Sequence, residues 1–194
     1  MNKPNSIKDY RTLLIVTGLQ RIMEVLCKYP DKEFSLSDLA REAGVAKANI
    51  GEILSQLQSK NIIKIEKLSK IWRIEANQTE NAYIKSKILY NLNFIYQSGL
   101  VEALAKIYGN PKSIVLFGSF RKGEDSSNSD IDIAIEDSIA SEHNAIYLGV
   151  LAEYERSIGR KIQIHEFNRK TVDIHVFNNI ANGIVLYGFL EVKK

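Results

Sequence analysis

One stretch constrains the fold of this chain more than any other. An apolar run, Ile114 to Phe117, delivers the chain to Gly118-Ser119; after ten intervening residues Asp130-Ile131-Asp132 opens a second apolar run. In a strand, side chains alternate faces, so Asp130 and Asp132 share one face while Ile131 and Ile133 share the other. Gly118 has no side chain, so the turn lets the backbone approach an anion closely. If residues 119–122 begin a helix, their free N–H groups and dipole favour a phosphate there. The Ser119 hydroxyl adds a donor, and Arg121 and Lys122 either add positive charge or face water. Two aligned carboxylates beside phosphates suit a hard divalent cation, Mg2+ or Mn2+, which prefers oxygen ligands and keeps several waters. The plainer alternative is a common turn and an exposed polar strand face. Against it stands the cost of burying two neighbouring aspartates without a cation.

This pattern resembles the nucleotidyltransferase superfamily that includes DNA polymerase β, and more closely the minimal nucleotidyltransferases of archaea and bacteria. The motif residues are Gly118, Ser119, Asp130 and Asp132, with Phe120 as the frequent aromatic and Gly123 as a glycine. The resemblance runs from about Asn110 to the C-terminus. It implies transfer of a nucleoside monophosphate from an NTP, with ATP the expected substrate, to a hydroxyl or similar acceptor, releasing pyrophosphate. It implies Asp130 and Asp132 as catalytic residues and metal ligands. Gly118, Ser119, Arg121 and Lys122 would bind the nucleotide. Related minimal nucleotidyltransferases include antitoxins that modify a partner toxin, so the resemblance also allows a protein acceptor.

The chain departs from the family at one position. Family members commonly carry a third carboxylate on a later strand, and the corresponding run here is Lys161 to Phe167. Alternation puts Ile162 and Ile164 on one face, Gln163 and His165 on the other, and Glu166 away from the pair. Gln163 takes the third position. It is a poor base and a weak ligand for Mg2+. His165 is either a structural hydrogen-bonder or a base. Nucleotide and metal binding are expected; full catalytic power is in question.

At 194 residues the chain holds one large domain or two small ones. No apolar run approaches the ~20 residues of a membrane span. The start lacks the apolar core of a secretory leader. The single cysteine, Cys27, falls in a helical apolar pattern and reads as a small buried hydrophobe. These features point to the cytoplasm and to no membrane partner. Charge is uneven. Residues 1–109 carry 16 Lys+Arg against 11 Asp+Glu, net +5, while residues 110–194 carry 10 against 12, net −2. The basic excess lies away from the nucleotide motif, which suggests two domains with different partners.

In the N-terminal half, Ile15, Leu19, Ile22, Met23 and Leu26 recur at helical spacing. Ser35 is a good N-cap with Asp38 three residues on, and Gly44 stops that second helix. A third helix is expected over 48–60 with Ile50, Ile53, Leu54 and Leu57 inward. Two β-like runs follow, Ile62 to Ile65 and Ile71 to Ile74. This order resembles a winged helix-turn-helix over residues 11–77. The resemblance implies double-stranded DNA as a partner, with Lys47 and Asn49 near the bases and Lys64, Lys67, Lys70 and Arg73 on phosphates. Winged helices also serve as protein-interaction modules, and Trp72 reads as wing-to-core packing.

The fold expected is α/β (α+β): a winged helix-turn-helix over 1–78, connecting helices over 79–109, and a nucleotidyltransferase-like mixed sheet with helices over 110–194. Thr79 is expected to cap a connecting helix too apolar for a flexible linker, which packs on one domain or on its counterpart in a homodimer. A helix is expected from Ser141 to Ile158, packed through Tyr147, Leu151, Tyr154 and Ile158, with His143 at the surface near its start. Two functions fit: a metal-dependent nucleotidyltransferase with a DNA-binding winged helix, or a DNA-binding transcriptional regulator whose nucleotidyltransferase-like domain is a weak or inactive nucleotide sensor.

Overall fold

The structure is a computed structural model, and it describes residues 16–69, 71–136 and 143–192. The described residues fall into two compact units, 16–90 and 91–192, divided within one helix. Ile15, Lys70 and Ser141 lie outside the described residues.

The first unit is three helices and a two-stranded ribbon. Helix α1 (Gly18–Lys28) begins with a capping box, in which the Thr17 hydroxyl accepts from Gln20 N–H and the Gln20 side chain accepts from Thr17 N–H. Helix α2 (Leu36–Ala43) is capped as expected: the Ser35 hydroxyl accepts from Asp38 N–H, and Gly44 closes it in the left-handed region. Helix α3 spans Lys47–Ser59, and strands β1 (Ile63–Leu68) and β2 (Ile71–Ala76) pair antiparallel. Ile22, Leu26, Leu39, Ile50, Leu54 and Ile74 form the fully buried centre of this unit, with Trp72 packed against its edge. Cys27 is buried.

Helix α4 (Asn81–Gln97) follows. The position immediately before it is Glu80, one residue beyond Thr79. The Thr79 hydroxyl bonds to the Asn77 side chain, and the helix starts on the Glu80 carbonyl, which accepts from Ile84 N–H. Gly99, with φ +84°, then turns the chain into α5 (Leu100–Ile107).

The second unit is built on a five-stranded mixed sheet. Its strands are β3 (Ser113–Phe117), β4 (Ile131–Glu136), β5 (Asn144–Tyr147), β6 (Ile162–Phe167) and β7 (Ile184–Gly188), in the order β5-β6-β4-β3-β7. β4 and β6 are parallel and the other pairs antiparallel. Helix α6 (Gly118–Lys122) sits between β3 and β4, α7 (Ala152–Ile158) between β5 and β6, and α8 (Ile174–Ala181) between β6 and β7.

Alternation governs β4. Ile131, Ile133 and Ile135 are wholly buried on one face. Asp132, Ala134 and Glu136 share the other face, where Val115, Ala134 and Phe167 pack on Phe177 and Ile180 of α8. Glu136 is buried there, accepting from the Ser113 hydroxyl at 3.2 Å with Arg169 Nε 3.9 Å away. The α8 helix therefore seals one end of this face with apolar packing, and Asp132 lies on the same face toward the other end.

The helix expected over 141–158 is not one helix. Residues 144–147 form edge strand β5, a 3₁₀ turn follows at Gly149–Leu151, and only Ala152–Ile158 is α-helical. The spacing of Tyr147, Leu151, Tyr154 and Ile158 imitates a helical stripe. Leu151, Tyr154 and Ile158 are buried as that stripe requires, whereas Tyr147 is 54% exposed. Gly149 is the break in the pattern that separates the two states.

Candidate active site

The cross-strand register assembles the site. Tyr147 of β5 pairs with Gln163 of β6, Gln163 with Asp132 of β4, and Asp132 with Phe117 of β3. This row crosses four strands and ends at the turn into α6. His165 lies two residues along β6 from Gln163, on the same face. Asp130 immediately precedes β4 and also points to this side, since its carboxylate meets Tyr147.

Gly118 has φ +73°, and a Cβ built on it would fall 3.0 Å from Asp132 Cγ and closer still to Oδ2. Both the backbone conformation and the space exclude a side chain. The Gly-Ser turn and the second aspartate of Asp-x-Asp are thus in direct contact, though fourteen positions apart in the chain. Ser119 is half-buried in α6 and its carbonyl accepts from Glu124 N–H at 3.1 Å. Arg121 is half-buried, with Nε enclosed and without a hydrogen-bond partner. Lys122 is exposed, 4.0 Å from Glu124.

Each aspartate has its own hydrogen-bond chain. Asp130 Oδ2 accepts from the Tyr147 hydroxyl at 2.8 Å, and the Tyr147 oxygen accepts from Gln163 Nε2 at 3.2 Å. The bond to Asp130 holds the Tyr147 phenol above its usual pKa, because ionising it would set two negative charges together. Asp132 Oδ1 lies 3.2 Å from His165 Nε2, and His165 Nδ1 lies 3.1 Å from His143 Nε2. A carboxylate only accepts, so His165 Nε2–H donates to Asp132; in the neutral ring Nδ1 then accepts from His143. The two rings are stacked, with centroids 5.3 Å apart, and Phe117 packs edge-on against His165 at 4.8 Å. Desolvation first, and the neighbouring His165 second, hold His143 below the usual histidine pKa. His165 thus orients Asp132. Glu166 leaves the site on the opposite face and accepts from the Tyr108 hydroxyl.

Among the described residues no three His, Cys, Asp or Glu side chains converge as a ready-made metal cage. Two carboxylates beside a cradle that a Cβ would fill still match a cation completing its shell with water and phosphate oxygens.

The loop between α6 and β4 is anchored from beneath by residues that the sequence pattern did not single out. Asp125 and Arg160 are both buried, with Arg160 Nη2 3.4 Å from Asp125 Oδ2. Asn91 Nδ2 donates to Asp125 Oδ1 at 3.0 Å and to the Phe120 carbonyl at 2.8 Å. Beside this loop a cleft of about 430 Å³ opens onto Asp130, with Asn128, Ser129, Glu155, Arg156 and Lys161 among its walls. Lys161 Nζ lies 3.1 Å from Glu155.

In the first unit Lys47 and Asn49 are exposed at the start of α3, and Lys64 and Lys67 are exposed on the ribbon. Lys67 Nζ stands 4.3 Å above the Trp72 ring. Arg73 is held by two carboxylates, Glu33 at 2.7 Å and Glu66 at 3.2 Å, and Glu33 raises its pKa further.

Among the described residues no helix is long and apolar enough to cross a membrane. No curated protein matches the chain. Among solved structures, a double mutant of ZitR from Lactococcus lactis is 11% identical, covering 56% of this chain and 71% of its own, with a TM-score of 0.35. A likeness this distant says nothing of function. Residues 100–189, which contain β3, α6, both aspartates and the whole five-stranded sheet, match the family described as polymerase beta, nucleotidyltransferase.

Proposed function

We propose that the second unit transfers a nucleoside monophosphate from an NTP, with ATP the expected substrate, to an acceptor hydroxyl. The observation that carries this reading is the contact between Gly118 and the Asp132 carboxylate. It sets the Gly-Ser turn directly against the second carboxylate of the pair. Asp130 and Asp132 would hold Mg2+ or Mn2+, which when bound would neutralise phosphate charge. The Gly118-Ser119 backbone and the Ser119 hydroxyl receive the triphosphate. His165 fixes the rotamer of Asp132, and Tyr147 that of Asp130. The cleft beside Asp130 gives the acceptor room, and a partner protein's hydroxyl is one such acceptor. Gln163 cannot take a proton, so the third position does not supply the base that deprotonates the acceptor.

The test is incubation of the full chain with Mg2+ or Mn2+, each NTP labelled at the α-phosphate, and candidate acceptors. Pyrophosphate release is expected, and Asp130→Ala is expected to lower it at least about 100-fold. No release by the wild type, or equal release by Asp130→Ala, overturns the reading.

A second reading, DNA binding by the first unit, rests on the exposed Lys47, Asn49, Lys64 and Lys67 arranged on α3 and the ribbon of a winged-helix-like order. Three lysine–phosphate contacts predict about 40-fold weaker duplex binding for a fourfold rise in salt. Fluorescence anisotropy of a labelled duplex measures this. Lys64→Ala should reduce the salt slope by about one contact. No binding at low salt, or salt-independent binding, removes this reading.

A further inference from the structure

We propose that Tyr147 is itself a nucleotidyl acceptor, so that the protein modifies its own edge strand. The proposal rests on the transferase reading above and names a substrate for that same site. Three observations carry it. The Tyr147 phenol is exposed at the end of β5, so its oxygen can be reached by a nucleotide without unfolding. Its hydroxyl proton already points at Asp130 Oδ2, 2.8 Å away. Its oxygen also accepts from Gln163 Nε2, which fixes the direction of a remaining lone pair. The bonds to Asp130 and Gln163 hold the hydroxyl in one orientation, so it need not be ordered when the nucleotide arrives. The row Tyr147, Gln163, Asp132 places that oxygen on the face where the Gly118 turn would hold a triphosphate.

The step balances within the site. Tyr147 Oη attacks the α-phosphorus, and a Tyr–O–P bond forms. The bond from the α-phosphorus to the oxygen bridging it to the β-phosphorus breaks, and pyrophosphate leaves with the electron pair. The phenolic proton leaves to solvent at the exposed end of β5. The product is a tyrosyl phosphodiester, and no oxidant or reductant is consumed.

The experiment incubates the full chain with Mg2+ and each NTP in turn, without other acceptors. Adduct is read by intact mass and peptide mapping, and pyrophosphate release is read in parallel. The expected result is a single nucleoside monophosphate on the peptide containing Tyr147, absent from Tyr147→Phe, whose unchanged circular dichroism shows that it folds. Adduct on another residue, or equal labelling of Tyr147→Phe, overturns the proposal. Pyrophosphate release without adduct also overturns it and leaves the transferase reading standing. Neither adduct nor pyrophosphate release, even with added acceptors, removes both.

Discussion

Asp125→Ala is expected to destabilise the second unit by about 3–5 kcal/mol, the cost of leaving one member of a buried ion pair alone. Asp125 is 1% exposed and Arg160 6%, so water cannot compensate the stranded guanidinium. Arg160 Nε already lacks a hydrogen-bond partner, and Nη1 keeps its bond to the carbonyl of Gly159. The Asn91 amide would lose one of its two acceptors and keep the Phe120 carbonyl. Urea unfolding followed by circular dichroism measures the change. The double variant Asp125→Leu with Arg160→Met removes both charges and should recover most of the loss, since apolar replacement of a buried pair is often neutral or better. A loss below about 1 kcal/mol for the single variant would mean that the pair is solvated or dispensable. A functional consequence accompanies the stability loss. The loop from Gly123 to Asp130 stands on this pair, so transfer should fall further than unfolding alone explains, measured well below the midpoint.

Gly118→Ala should lower transfer about 100-fold while leaving the chain folded. The new methyl group would collide with the Asp132 carboxylate, and a displacement of about 1 Å at a reacting centre costs about that factor. The positive φ of +73° adds strain of order 1–3 kcal/mol for a residue with a Cβ. Pyrophosphate release and the thermal midpoint, measured on the same preparation, separate the two effects. Gly51 is the control. It lies within α3 with nothing within 4 Å of a built Cβ, and its replacement by alanine should stabilise by about 0.5–1 kcal/mol. If Gly118→Ala behaved like Gly51→Ala, the contact between turn and carboxylate would not matter to the chemistry.

The site was legible where local rules act alone. Alternation placed Ile131 inward and Asp132 outward, and it paired Gln163 with His165. The Ser35 cap, the Gly44 stop and the buried side of α3 followed from short-range stereochemistry. What escaped was set by contacts distant in the chain. Tyr147 reads as helical because its spacing to Leu151 and Tyr154 is helical, and four residues of edge strand carry too little pattern to compete. Its role appears only when β5 pairs with β6. Asp125 and Arg160 are separated by 35 positions, and each alone looks like an ordinary surface charge. Thr79 missed the cap position because the helix begins at Asn81, which leaves Glu80 immediately before it.

The two aspartates sit two positions apart, yet they are referenced to different strands. Asp132 takes its bearing from His165 on β6, which has neighbours on both sides. Asp130 takes its bearing from Tyr147 on β5, which is paired on one side. Peeling back the outermost strand would release one carboxylate and leave the other in register. The pair is a fixed jaw and a movable one, and whatever docks along the free margin of the sheet acts on the movable jaw first.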